Sequence, residues 1–527
     1  MLTAAAALLT SLAAEAQNPY LPLWDFIPDG EPYVFDDPDN PGQQRVYIYG
    51  SHDNSKIMYC GRDLVVWSAP VSDPAKWRCD GIIFESKKDR DGQWLYPDSI
   101  GDVLYAPDIA TRREADGRTA YYLYPNNQAW GREGMIAKSY RPDGPFVVCN
   151  WSKDNPKETI GVQRFDPAAF VDDDGRAYAY WGINHSYAAE LDTATMCTPR
   201  PGTKIIENFI PGWAEDSTFR FFEASSIRKI KDKYVYIYSR ITRLGEWGLH
   251  KTNYTLAYAY ANNPLGPYTY GGTIIDGRGK EPNPDGSMRA TATYYGNTHG
   301  SIAKLGDQWY VFYHRQADTT EYSRQAMVAP ITVDVQEGPN GKVSISEAEY
   351  TSEGFALDGL DPMRNYPAGI ACYYTNPVAM YQQYPSMIYP GSHSRIYRDQ
   401  FHGEGDPYDL AVNRCPMVNN TAGSVVGYKY FNLNKTHGLR SLRLNIDILP
   451  EGTDGTVSVF LDSPDTRKGR RIGSFSVSKA EPQVERTVSL DCKALTKLTG
   501  KHSLFLVFES AVSGKSLCEL RTVGFSE

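Results

Sequence analysis

Short runs of alternating apolar and polar positions recur along the first two thirds of the chain, and helical spacing is almost absent. A period of two marks a strand with one buried face. Five of these runs are rich in aromatic residues: Arg45-Val46-Tyr47-Ile48-Tyr49, Thr119-Ala120-Tyr121-Tyr122-Leu123-Tyr124, Tyr178-Ala179-Tyr180-Trp181, Tyr234-Val235-Tyr236-Ile237-Tyr238 and Trp309-Tyr310-Val311-Phe312-Tyr313-His314. A second run follows several of them, as in Leu256-Ala257-Tyr258-Ala259-Tyr260, and leads into a stretch such as Pro264-Leu265-Gly266-Pro267-Tyr268. A small-sheet unit repeated in this way predicts a β-propeller of five blades. The clearest hairpin starts at Phe165-Asp166-Pro167, turns at Asp173-Asp174-Gly175 and returns along Ala177 to Trp181. Proline cannot donate to a sheet ladder, so Asp166 is expected where a strand begins.

The pattern changes near residue 360. All ten Trp lie between Trp24 and Trp309. Beyond them, Ser441–Asp447, Gly455–Asp462 and Ser503–Phe508 alternate with period two, as in a β-sandwich. The chain is therefore expected to be all-β. A five-bladed β-propeller over residues 18–360, with Glu347–Phe355 as its last edge, precedes a jelly-roll-like β-sandwich over 366–527.

Composition narrows the partners. The net charge of -9 argues against nucleic acid and anionic membranes. Residues 1–16 are apolar and end in Ala14-Glu15-Ala16, a small-x-small pattern of a signal peptide, although a basic n-region is missing. No later stretch is long and apolar enough to span a membrane, so a secreted or periplasmic protein is expected. The eight cysteines show no metal-ligand spacing. Cys60 and Cys79 flank one predicted hairpin and form the pair to test for a disulfide, with buried thiols as the equal alternative. The aromatic content of 13% fits either flat faces for sugar rings or the ordinary needs of pleated sheets.

Three acidic residues stand at comparable places in different repeats: Asp29 before the first aromatic strand, Asp166 in the third repeat and Glu223 before the fourth. Glu223 lies between Phe221-Phe222 and Ala224-Ser225, a setting that would desolvate its carboxyl, raise its pKa and suit a general acid. Asp29 would stay ionised as a general base that activates water, and Asp166 would orient the acid and modulate its pKa. Two carboxyl groups facing a glycosidic bond suffice for hydrolysis. Glu31 lies two positions from Asp29, on the same side of a strand, and remains an alternative base.

These motifs carry a family resemblance. Pro28-Asp29, Tyr33-Val34-Phe35, Tyr47-Ile48-Tyr49-Gly50-Ser51-His52-Asp53, Tyr105-Ala106-Pro107-Asp108-Ile109, the Asp166 hairpin and Phe222-Glu223-Ala224 resemble glycoside hydrolase family 43, whose members are five-bladed propellers. The family usually has Pro where this chain has Gly30. The resemblance implies inverting hydrolysis of O-glycosidic bonds, and an exo-acting α-L-arabinofuranosidase or β-D-xylosidase on plant-type polysaccharides. β-D-Galactofuranosidase or galactan-active enzymes, a non-catalytic glycan-binding protein and a phosphorolytic enzyme are alternatives. It further implies substrate contacts from Arg324, His299, Trp130 and Asp108. No cofactor is required, but a structural calcium or its waters near the propeller axis would lie beside His299, whose other reading is structural. The C-terminal region resembles carbohydrate-binding module family 6 through Ser424–Phe431 and Gly500–Phe508. Its lack of Trp favours a packing role over a sugar platform.

Overall fold

Each of the five aromatic runs becomes the second strand of a small antiparallel sheet. The computed structural model describes residues 17–54, 58–215, 217–283, 285–292, 296–317, 321–376, 389–390, 406–465 and 467–527. The expected signal peptide lies outside them. Blade 1 contains Glu31–Asp36, Gln44–Tyr49, Asp63–Pro70 and Arg78–Glu85. Blade 2 contains Asp108–Arg113, Thr119–Tyr124, Ala137–Ser139 and Val147–Val148. Blade 3 contains Ala168–Val171, Ala177–Trp181, Tyr187–Leu191 and Ile206–Glu207. Blade 4 contains Phe221–Ile230, Lys233–Arg240, Thr255–Ala261 and Thr269–Asp276. Blade 5 contains Ser301–Leu305, Gln308–Gln316 and Arg324–Ile331. The first strand of each blade is the innermost, so its starting residues converge on the axis from distant parts of the chain.

Aromatic alternation fits this arrangement because each blade buries both faces against its neighbours. Tyr47, Tyr49 and Leu64 of blade 1 pack against Ile109, Tyr121 and Leu123 of blade 2. Equivalent layers join blades 2 and 3 around Tyr124 and Trp181, and blades 3 and 4 around Tyr180, Tyr236 and Tyr238. The ring closes between blades 5 and 1, where Trp67, Ile48, Phe312 and Val328 share a core with Tyr20 and Trp24.

The edge expected at Glu347–Phe355 is not a strand. Backbone donors there are taken elsewhere: Ala348 N–H reaches Ile274 O of blade 4, and Ser352 N–H reaches Lys429 O in the C-terminal region (both 2.7 Å). The segment beside the outer strand of blade 5 comes instead from the start of the described chain. Asn18 Nδ2 donates to Val328 O (2.8 Å), its Oδ1 accepts Val328 N–H (3.0 Å), and Tyr20 N–H donates to Ala326 O (3.1 Å).

Two antiparallel sheets form the C-terminal region. One orders Tyr373–Thr375, Val425–Asn432, Lys501–Glu509, Gly455–Leu461 and Arg470–Val477. The other contains Tyr389–Pro390, Met417–Val418, Cys518–Ser526, Arg443–Pro450 and Arg486–Asp491, with Tyr366–Pro367 paired to Cys518–Ser526. Their core is continuous with that of blades 4 and 5, through Ile302, Val311 and Met327 on one side and Tyr374, Val426 and Leu504 on the other. Among the described residues no helix is long and apolar enough to cross a membrane. No disulfide joins any of the eight cysteines. The Cys60–Cys79 pairing fails because Cys60 is buried by the axis while Cys79 is exposed on the outer strand of blade 1.

Arg315 joins the two regions from a fully buried position in blade 5. Its Nη1 donates to Ala371 O (2.8 Å), its Nη2 to Gly369 O, and its Nε and Nη2 to Gln325 Oε1 (3.0 and 2.9 Å). Removing it strands buried acceptors at about 1–3 kcal/mol each. Arg315→Ala is therefore expected to destabilise the protein by about 3 kcal/mol, read as an earlier midpoint in urea unfolding.

Candidate active site

At one end of the axis, the loops entering the inner strands and leaving the second strands enclose a cavity of about 400 Å³. Asp29, Asp166, Glu223, His299 and Arg324 all line it, with Tyr59, Cys60, Tyr105, Phe165, Ile183 and Phe222 forming much of its wall. Local backbone geometry aims the acids. Asp29 (φ 60°) and Asp166 (φ 50°) adopt left-handed conformations, uncommon for non-glycine residues, two positions before their strands begin. Glu223 is presented by a bulge: register with the second strand of blade 4 shifts on both sides of it, and Ala224 has φ 67°. Gly50 permits a close approach, since a Cβ there would meet Pro28 O at 2.3 Å, next to Asp29.

Asp29 is held as an anion. Arg324 Nη1 donates to its Oδ1 (2.9 Å) and Ser51 Oγ–H donates to its Oδ2 (2.5 Å). Burial acts to raise its pKa, but Arg324, His299 and the Ser51 bond prevail, and the carboxyl lies below the ordinary range. Asp53 fixes Arg324, its Oδ2 accepting from Nε and its Oδ1 from Nη2 (both 2.9 Å). His314 Nδ1 accepts the Asp29 backbone N–H (3.2 Å), while its Nε2 faces Asn297 O and Oδ1 (both 2.9 Å). This assigns the proton to Nε2. Burial drives the pKa of His314 down to about 3, so the ring is neutral.

Asp166 accepts from Asn126 Nδ2 and from the Ala224 backbone N–H (both 3.0 Å), the latter tying it to the residue after Glu223. His299 Nδ1 lies 3.6 Å from Asp166 Oδ2, and its Nε2 lies 3.8 Å from Glu31 Oε1. Burial opposes protonation of His299, but Asp166, Asp29 and Glu31 outweigh it and the pKa rises to about 9. Glu223 has the opposite fate to Asp29. Burial first, then the negative charge of Asp166, pushes its pKa well above the usual value, toward the protonated acid.

The remaining sequence candidates lie outside the cavity lining. Asp108 is buried beside the inner strands, accepting Tyr33 Oη–H and Ala169 N–H (both 2.7 Å). Glu31 is fully buried, with Oε2 held by Arg228 Nη2 (2.7 Å), which leaves Asp29 as the cavity-facing member of that pair. Trp130 is 90% exposed on the loop after the second strand of blade 2. That loop is anchored by Arg132 on Asp102 (2.7 and 2.8 Å) and by Asn127 Nδ2 on Asp102 (2.8 Å). Asn126, Asp53, Ser51 and His314 are additional site residues. All follow or end an aromatic second strand, and that position is the one sequence signal they share.

The described side chains around His299 supply few ligands for a calcium, so an ion beside it would be held mainly through water. A calcium ion takes about 6–8 oxygen ligands. Among the described residues no three His, Cys, Asp or Glu side chains converge on a metal position. Each ring nitrogen of His299 faces a carboxylate, but at 3.6 and 3.8 Å, and its Nε2 and the Glu31 Oε1 opposite are buried without a hydrogen-bond partner. Arg324 and His299 are likewise committed to carboxylates, and the cavity lining adds no other cation to bind phosphate as a nucleophile.

A carboxyl whose folded pKa is raised favours the fold below its unfolded pKa and costs stability as pH climbs toward the folded pKa. Glu223→Gln removes that cost, so the variant should melt at a higher temperature than the parent at neutral and mildly alkaline pH, with the difference vanishing toward pH 4. Thermal melts across this range check it.

Residues 35–338, more than half of the chain, match the sequence model of glycosyl hydrolases family 43. The chain is 31% identical over 447 residues to a xylosidase/arabinosidase of Thermoclostridium stercorarium, spanning 81% of this chain and 85% of that protein. Xylosidase/arabinosidase 43A of Humicola insolens is 30% identical over 320 residues, 51% of this chain and 84% of its own length. An arabinoxylan arabinofuranohydrolase of Paenibacillus polymyxa is 25% identical over 516 residues, covering 94% of this chain and 71% of its own. With this extent of matching, the chain belongs to glycosyl hydrolases family 43.

Proposed function

We propose that this glycoside hydrolase removes terminal α-L-arabinofuranosyl or β-D-xylosyl units from plant-type polysaccharides by single displacement with inversion. The observation that carries the reading is the opposed state of two carboxyls in one cavity: Asp29 driven toward the anion, Glu223 toward the acid. In this reading Asp29 draws a proton from the attacking water. Glu223 protonates the departing glycosidic oxygen, and Asp166 holds the Glu223 segment through Ala224 N–H and sustains the raised pKa. Arg324 keeps Asp29 ionised and aimed at the water. The relatives named for xylosidase/arabinosidase and arabinoxylan arabinofuranohydrolase activities support the choice of pentosides.

Trp130, exposed on an anchored loop, would offer a flat face to the polymer beyond the cleaved unit. The C-terminal sheets, whose strands resemble carbohydrate-binding module family 6, would act as a buttress, a role supported by the core they share with blades 4 and 5. The apolar residues 1–16 support action outside the cytoplasm.

Purified protein should release product from the α-L-arabinofuranoside or β-D-xylopyranoside member of an aryl glycoside panel that also holds β-D-galactofuranoside and β-D-galactopyranoside, without added phosphate. Cleavage of only the galactosides would reject the pentose assignment. Glu223→Gln should lose about 10²–10⁴-fold on natural linkages and much less on aryl glycosides with good leaving groups. Asp29→Asn should lose activity on both. Trp130→Ala should raise KM on arabinoxylan while leaving aryl glycoside turnover unchanged.

A further inference from the structure

Arg228 belongs to the inner strand of blade 4, yet its guanidinium reaches blade 1, which is not its neighbour in the ring. To do so it crosses the axis. Nη2 donates to Glu31 Oε2 (2.7 Å) and Pro32 O (3.1 Å), and Nη1 to Ile227 O (2.9 Å) and Tyr33 Oη (3.3 Å). Nε donates to Ile302 O of blade 5 (3.1 Å), and the guanidinium carbon lies 4.5 Å from the centre of the Tyr33 ring. Tyr33 passes the connection to Asp108 of blade 2, and Asp108 to Ala169 N–H of blade 3. One cation thus touches or is relayed to all five blades. Below it, Arg228 helps line a second cavity of about 190 Å³ between the inner strands of blades 1 to 4.

The acceptors around this guanidinium are one carbonyl each from blades 1 and 5, one from its own strand, the hydroxyls of Tyr33 and Ser226, and a carboxylate. All are hard oxygen ligands of the kind calcium selects. Burying Glu31 and Asp108 near each other needs a positive charge. Burial and then Glu31 push the pKa of Asp108 up to about 7, with Arg228 opposing.

We propose that the Arg228 guanidinium is the resident cation of the propeller axis, occupying the place and charge role of a divalent ion, so that this protein takes no calcium there. The donors on Arg228 are fixed in a planar fork, which satisfies several acceptors at once where a lysine would satisfy fewer.

The test uses the full chain. Thermal melts and calcium titration calorimetry are run on the parent protein and on Arg228→Ala, in chelator and in millimolar calcium. The parent should melt at the same temperature in both media, keep its aryl glycoside activity after chelation and show no calcium binding. Arg228→Ala opens the oxygen cage, so it should melt well below the parent in chelator and recover part of the loss in calcium, with a binding isotherm that the parent lacks. Calcium binding by the parent, or a fall in its melting temperature on chelation that calcium reverses, would overturn the proposal. So would Arg228→Ala melting like the parent in chelator. If Arg228→Ala does not fold, Arg228→Lys replaces it and should show a smaller loss, and the parent's response to chelation still decides.

Discussion

Five inner strands starting on one axis bring Asp29, Glu31, Asp108, Asp166 and Glu223 into a volume from which water is largely excluded, and every buried carboxyl there must be paired, hydrogen-bonded or protonated. The structure meets this demand unequally. Arg324 takes Asp29, Arg228 takes Glu31, and Asp166 has Asn126, the Ala224 backbone and His299. Glu223 receives no comparable cation and, buried in the field of Asp166, is driven toward its protonated form. Acid and base are therefore consequences of one allocation of positive charge, and Asp53, by fixing Arg324, belongs to that allocation as much as Asp29 does.

The aromatic runs made the blades legible because strand periodicity and β-branched or aromatic content are local properties. The hairpin read at residues 165–182 forms as expected, with Gly175 N–H closing its turn on Asp172 O (2.8 Å). Asp29, Asp166 and Glu223 could be singled out because strand starts are where a propeller gathers its site. The partners that decide their protonation could not. Asp53, Asn126 and His314 are joined to the acids only through the angular order of the blades, which period-two alternation does not encode. Nor does a bulge at Glu223 leave a mark in the sequence. Asp108 and Glu31 carried the same kind of signal as Asp29, and only depth along the axis separates those facing the cavity from those facing Arg228.

The boundary near residue 360 marks a change in composition rather than in packing. Trp is confined to the propeller, but the apolar interior runs on from blade 5 into the C-terminal sheets, and Arg315 spends its hydrogen bonds on both. Glu347–Phe355 was expected as the last propeller edge. Its backbone donors instead serve blade 4 and the sandwich, and this releases the flank of blade 5 for the segment around Asn18.

That flank sets the order in which the molecule can be completed. Asn18 and Val328, which exchange side-chain and backbone bonds, are 310 positions apart. Blades 1 to 4 can pair their own strands as each leaves the ribosome, since their contacts are local. The latch at Asn18 has nothing to grip until the outer strand of blade 5 exists. Until then the ring is an open arc, with the apolar flanks of blades 1 and 5 uncovered. Closing it pays a loop-entropy cost in a single late step. Ring closure therefore waits on the two ends of the propeller, whose joining residues are far apart in the chain.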